Sequence, residues 1–124
     1  MSLADFFAPI DLEKITPKRG YYTSHLGTKV NCNTGTFPDL DEDKPHIAII
    51  GVMEDRNAIN NQGCGLGPDY IRERLYELNE GAYTTKIADL GNIRPGASIT
   101  DTYIALKTVV NELVKKDILP IIIG

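Results

Sequence analysis

The sequence predicts an α/β fold built on a parallel βαβαβ run. Three observations predict it. Two apolar runs of strand length, residues 46–52 and 121–124, lack polar alternation, the mark of strands buried on both faces. Between them lie two stretches with helical spacing of apolar residues, one after Pro68 and one after Ser98. A shorter strand-like segment, residues 86–91, separates those helices. Crossovers of this length join parallel strands with a right-handed turn.

Residues 1–45 read as an irregular N-terminal arm, and residues 46–124 as a partial α/β domain. In the arm, residues 3–8 form a short helical turn closed by Pro9, and residues 12–15 form another before Pro17. Residues 21–30 run extended with a bend at Gly27. Residues 31–45, rich in Asn, Thr, Gly, Asp and Pro, read as loop. The carboxylates from Asp39 to Asp43 form a solvated linker, because they lack the alternating oxygen ligands and glycine turn of a Ca²⁺ loop.

The first strand ends at Val52, and a polar stretch leads to Gly63-Cys64-Gly65-Leu66-Gly67. Pro68 suits a first helical position, where a missing amide hydrogen costs nothing. Asp69 adds the favourable charge for a first turn. Ile71, Leu75 and Leu78 then predict one buried stripe, stopped by Asn79-Glu80-Gly81. The second strand is more polar than the first and is expected to be less completely buried. Ser98, three residues before Asp101, has capping-box spacing. Tyr103, Leu106, Val110 and Leu113 mark the buried stripe of the next helix, and Pro120 admits the third strand.

A chain of 124 residues has room for one domain at most. It is 42% hydrophobic, enough for a core. The formal net charge is −4 and the basic residues are scattered, so no cationic field exists for nucleic acid. No run is long and apolar enough to predict a membrane span. Cys32 and Cys64 read as free thiols in a reducing compartment, and a cytoplasmic location is expected.

In parallel α/β sheets, ligands bind beyond the carboxyl ends of the strands. That rule selects the loop after Val52, where Glu54, Asp55, Arg56, Asn57, Asn60 and Asn61 are candidates to line a cleft. The same polar density suits any long surface loop. Gly63, Gly65 and Gly67 could present amides to an anion ahead of a helix. They lie far from the strand, at the wrong spacing for a dinucleotide fingerprint, and no Gly-Lys-Ser/Thr follows. Gly65, Gly67, Pro68, Asp89, Gly91 and Ser98 are therefore read as structural. His25 has no Asp, Glu or Cys at useful ligand spacing, and His46 begins the first strand at the end opposite the expected cleft, so neither a catalytic nor a metal-binding residue is assigned.

The last strand is apolar on both faces and expects cover above, below and alongside. A sheet of three strands and two helices leaves an open edge, so self-association is expected unless the arm closes it. The chain reads as the first part of an α/β domain that stops before the residues of its chemistry. A stand-alone α/β module, binding an anion or partner through residues 63–67, is the alternative.

Three segments together resemble the ureohydrolases: arginase, agmatinase and formimidoylglutamase. Ile49-Ile50-Gly51-Val52, followed by Gly65-Leu66-Gly67-Pro68-Asp69-Tyr70-Ile71-Arg72, is similar to the family's first strand and Gly-Pro-x-x-Ile-Arg helix start. Ala88-Asp89-Leu90-Gly91-Asn92 resembles its second strand. Leu119-Pro120-Ile121-Ile122-Ile123-Gly124 resembles the strand that leads into Gly-Gly-x-His. The resemblance implies the first three strands of a three-layer α/β/α fold. It also implies hydrolysis of a guanidino or formimino compound by water held between two Mn²⁺ ions in the full-length parent. The family's ligand motifs are Gly-Gly-x-His, Asp-x-His-x-Asp and Asp-x-Asp. No residue here matches a ligand, so the fragment itself is expected to hold no metal and to be inactive. Met53 stands where the family has proline, and Asn61-Gln62-Gly63 replaces its Arg-x-Gly, departures that bear on substrate rather than fold.

Overall fold

The computed structural model describes residues 2–82 and 84–124. Its centre is a sheet of five strands: β1 (Phe7–Ala8), β2 (Asn31–Cys32), β3 (Ile47–Val52), β4 (Ile87–Ile93) and β5 (Leu119–Ile123). Three α-helices accompany them: α1 (Leu12–Ile15), α2 (Gly67–Leu75) and α3 (Ile99–Lys115). The sheet order is β1-β4-β3-β5, with β2 also pairing on β4.

This corrects the purely parallel βαβαβ expectation. The pairs β3–β4, β3–β5 and β2–β4 are parallel, but β1 runs antiparallel to β4, so the sheet is mixed. The physical reason lies in the free edge of β4. Its unpaired backbone groups need partners, and two short pieces of the arm supply them. Phe7 and Ala8 pair with Ile93 and Asn92 at one end. Asn31 and Cys32 pair with Ala88 and Asp89 at the other. Residues 7–8 and 31–32, read as helical turn and loop, are too short to show a strand period.

The sheet's two faces carry separate cores. Ala48, Ile50, Ala88, Leu90 and Ile93 pack with Val109 and Leu113 of α3 and with Phe7, Leu40 and Ile118. On the opposite face, Ile49 packs with Tyr76, just beyond α2, and with Ile10 and Ile15 of the arm. Full burial of each such aliphatic side chain is worth about 1.5–3 kcal/mol. The arm is therefore part of both cores.

Burial along the strands differs from the sequence expectation. The second strand, predicted to be the less buried, is buried from Ala88 to Ile93 because the arm covers its outer edge. The third, expected to need cover above, below and alongside, stands at the end of the strand order among the described residues, with Leu119, Ile121 and Ile122 exposed. In α3 the buried positions are Thr102, Val109 and Leu113, while Tyr103 faces outward.

A bulge in β4 sets the geometry of the sheet's carboxyl end. The β3–β4 register steps from Ile49↔Asp89 to Gly51↔Asn92, so β4 carries an extra residue there. Gly91 takes a positive φ of 97° at this point. In a regular strand, residues 89 and 92 would face opposite sides. The bulge turns Asn92 to the side Asp89 already faces. The arm closes over the bulge: Asn33 donates its side-chain amide to the Leu90 carbonyl at 2.9 Å. A Cβ at Gly91 would lie against the Ala8 carbonyl oxygen. Gly91→Ala is thus expected to destabilise the fold by about 1–3 kcal/mol or more, through backbone strain and loss of β1 contact. Urea unfolding would measure this, and a change under about 0.5 kcal/mol would contradict it.

Candidate functional site at the carboxyl end of the sheet

Strands β3, β4 and β5 all end at one side of the molecule. The loop of residues 53–66, the bulge at Gly91-Asn92, the first residue of α2 and Gly124 meet there. The Gly124 backbone carbonyl carbon lies 3.4 Å from where a Cβ on Gly67 would sit.

Beneath this surface sits a buried polar cluster centred on Arg72. Arg72 and Asp89 are each 0% exposed. The guanidinium donates Nε to Asp89 Oδ2 at 2.7 Å and Nη2 to Oδ1 at 2.9 Å, a two-pronged match of planar groups. Its remaining hydrogens reach Asn92 Oδ1 at 2.6 Å and the Gly91 carbonyl at 3.2 Å, with Asp69 at 3.4 Å. The Tyr76 hydroxyl and the Gly91 amide donate to the same carboxylate. Gly51 makes room, since a Cβ there would run into the Asn92 side-chain oxygen. Burial alone would lower the Arg72 pKa, but Asp89's hydrogen bonds and charge outweigh it and the net direction is upward. Burial, followed by the charge of Asp89, raises Tyr76 well above an ordinary phenol. The same two causes push Cys32 up to about 12, so its thiol stays protonated.

Sequence reasoning misses this cluster's cation. It predicts a stripe of Ile71, Leu75 and Leu78, whereas α2 turns Pro68 and Arg72 inward, with Tyr76 following, and Ile71 and Leu78 are exposed. The available signal was Asp89 itself. A carboxylate inside an apolar strand demands a partner, and the preceding helix carries arginines.

The loop after β3 is held by its own acidic residues. Glu54 accepts hydrogen bonds from Thr102 Oγ1 at 2.8 Å and from Arg56 Nε at 2.7 Å, linking the loop to the first turn of α3. Asp55 accepts from the amides of Gly63 at 2.8 Å and Gly65 at 3.2 Å. Those amides are the ones an anion would have used, so the anion-binding alternative loses its donors. Asn57, Asn60 and Asn61 are exposed, with Asn60 at a positive φ of 57°. Gly65 and Pro68 are buried, and Ser98 Oγ accepts the Asp101 amide at 3.3 Å. A hollow of about 260 Å³ lies nearby between the arm and α2, lined by Lys14, Ile15, Leu66, Asp69, Tyr70 and Glu73. Glu54 to Asn61 do not line it.

The family model for the arginase family matches residues 45–124, well over half of the chain. The chain belongs to the arginase family. No curated protein and no solved structure matches it significantly. The matched region begins just ahead of β3 and takes in α2, β4, α3 and β5.

The metal pair implied by that family does not fit the residues of this arginase-family chain. Among the described residues, no group of three or more His, Cys, Asp or Glu side chains is placed to hold a metal ion. Asp89, the carboxylate at the sheet's end, is fully engaged by Arg72, Tyr76 and Gly91. The ring Nδ1 atoms of His25 and His46 accept the amides of Tyr22 and Lys86, at 3.2 and 3.0 Å. No helix among the described residues is long and apolar enough to cross a membrane.

The Arg56 hydrogen bond holds the Glu54 carboxyl down to about 2, against the partial desolvation that opposes it, with Thr102 and the Arg56 charge helping. A depressed carboxylate contributes stability that is fully present above its unfolded value of about 4.3. That contribution is lost as pH falls through the folded value of about 2. NMR titration of the Glu54 carboxyl is expected to show its midpoint near 2, with the Thr102 contact intact at about pH 4. A midpoint in the ordinary glutamate range would contradict this geometry.

Proposed function

We propose that this chain forms scaffold for a metal-dependent arginase-family hydrolase acting on the C–N bond of a guanidino or formimino compound, and that these residues alone turn over no substrate. The family match across residues 45–124 carries the reading. The loop of residues 53–66 stands at the sheet end where α/β proteins bind ligands. Glu54, Asp55 and Arg56 shape that loop, and Asn57, Asn60 and Asn61 are exposed on it, which supports the reading that they line the cleft of the complete enzyme. Ligands for two Mn²⁺ ions would come from residues other than these. A cytoplasmic setting, with Cys32 and Cys64 as free thiols, belongs to the same proposal.

The test is reconstitution. With Mn²⁺ and arginine, agmatine or formiminoglutamate, the purified chain is expected to release neither urea nor formamide above the metal blank. Calorimetry should find no tight stoichiometric Mn²⁺ site. Addition of an arginase-family segment carrying the Gly-Gly-x-His, Asp-x-His-x-Asp and Asp-x-Asp motifs is expected to restore hydrolysis of one substrate. Turnover by the chain alone, a tight Mn²⁺ site, or failure of every substrate after reconstitution would each contradict the proposal.

A further inference from the structure

The arm is tied to the far end of α2 by a turn that closes on an imidazole. Residues 22 and 25 bond each other in both directions. The His25 amide donates to the Tyr22 carbonyl at 3.0 Å, and the Tyr22 amide donates to His25 Nδ1 at 3.2 Å. His25 is 7% exposed, and its ring meets those of Tyr21 and Tyr22 edge-on, with centroids 6.2 and 5.0 Å away. Thr28 Oγ1 donates to the His25 carbonyl at 2.9 Å, which fixes the next turn of chain.

This turn carries the arm's hydrogen bonds to the end of the helix. The Leu26 amide donates to the Leu78 carbonyl at 2.8 Å and the Gly27 amide to the Tyr76 carbonyl at 3.0 Å. In return the Glu80 amide donates to the Ser24 carbonyl at 2.9 Å, and Ser24 Oγ to Asn79 Oδ1 at 3.1 Å. Carbonyls at a helix end have no partner within the helix, so these contacts complete α2. Tyr21, Leu26 and Val30 also pack against the cluster that holds Tyr76.

Accepting at Nδ1 requires a neutral imidazole with its hydrogen on Nε2. Nδ1 is then the only ring atom that can take a proton, and it is already occupied. A protonated ring would turn an N–H toward the Tyr22 N–H, two donors with no acceptor between them. The charged groups around the turn are Arg19 on the arm and Glu77 and Glu80 beyond α2. Arg19 lies 5.7 Å from the Tyr22 ring centre and is paired with Glu77 at 3.2 Å. Tyr21, which burial raises above an ordinary phenol, stays uncharged near neutral pH. Among the described residues no carboxylate forms an ion pair with His25 that would hold the protonated ring in place. We propose that His25 is a pH-sensitive latch: the neutral ring holds the turn on α2, and protonation frees residues 22–30 from it. The released state binds the extra proton, so closure is complete above the free imidazole value of about 6.5 and weakens as pH falls below it.

Amide exchange followed by NMR at about pH 7.5 and about pH 5, corrected for the intrinsic pH dependence of exchange, tests this in the 124-residue chain. The chain has 2 histidines, so one variant of each decides the comparison. On lowering the pH, the amides of Leu26, Gly27 and Glu80 are expected to lose protection roughly threefold or more against Ile50 in β3, the scale of one hydrogen bond. His25→Asn, which keeps an acceptor but does not titrate, is expected to abolish the change. His46→Asn is expected to keep it, because His46 is exposed and its Nδ1 holds the Lys86 amide at the start of the sheet. Circular dichroism checks that each variant is folded. His25→Phe, which neither accepts nor titrates, replaces a His25→Asn that is not, and must likewise show no pH dependence. Wild-type protection that is equal at both pH values, a change that survives in the His25 variant, or one lost in His46→Asn would each overturn the proposal.

Discussion

Two fully buried charged groups, Arg72 and Asp89, impose the constraint on which the carboxyl end of the sheet depends. An isolated buried charge costs several kcal/mol, so each must meet the other in good geometry with its remaining hydrogen-bonding capacity filled. The structure meets that demand by assembling parts distant in sequence. Helix α2 supplies the guanidinium, β4 supplies the carboxylate, and the bulge brings Asn92 and the Gly91 carbonyl round to the same side. Gly51 on β3 leaves the space they occupy. The pairing ties α2, which follows the loop of residues 53–66, to β4.

The arm belongs to the same solution. The bulge leaves the Leu90 carbonyl short of a ladder partner, and Asn33 supplies one. Ala8 lies over Gly91 where no side chain could fit. Ile10 and Ile15 cover the face on which Tyr76 reaches Asp89. A segment with almost no regular structure thus removes water from the one place where water would compete for the ion pair. The buried charges hold the frame, and the exposed asparagines of the loop face outward from it.

The helices, the three long strands and the resemblance to the arginase family were legible in the sequence because each is a local pattern of several residues. The mixed sheet was not. Two-residue strands show no period, and their pairing with β4 is decided by what that edge needs, not by the arm's own propensity. The stripe on α2 was misread for a related reason. Hydropathy assigns arginine to the solvent face, but a strand carboxylate can draw it inward, and Ile71 and Leu78 are then displaced to the surface. Glu54 and Asp55 were visible as polar loop residues. Their actual work, fastening the loop to Thr102 and to the Gly63 and Gly65 amides, depends on contacts across up to 48 positions of sequence.

A double-mutant cycle on the buried pair tests this dependence most directly. Arg72→Met and Asp89→Leu, alone and together, would be compared by urea unfolding. If the pair organises the sheet end, each single change costs about 3–5 kcal/mol by stranding the opposite charge. The double variant then loses far less than the sum, giving a coupling of about 1–3 kcal/mol or more. Single losses under about 1 kcal/mol that simply add would contradict it, and would mean that the sheet end is held by its apolar contacts alone.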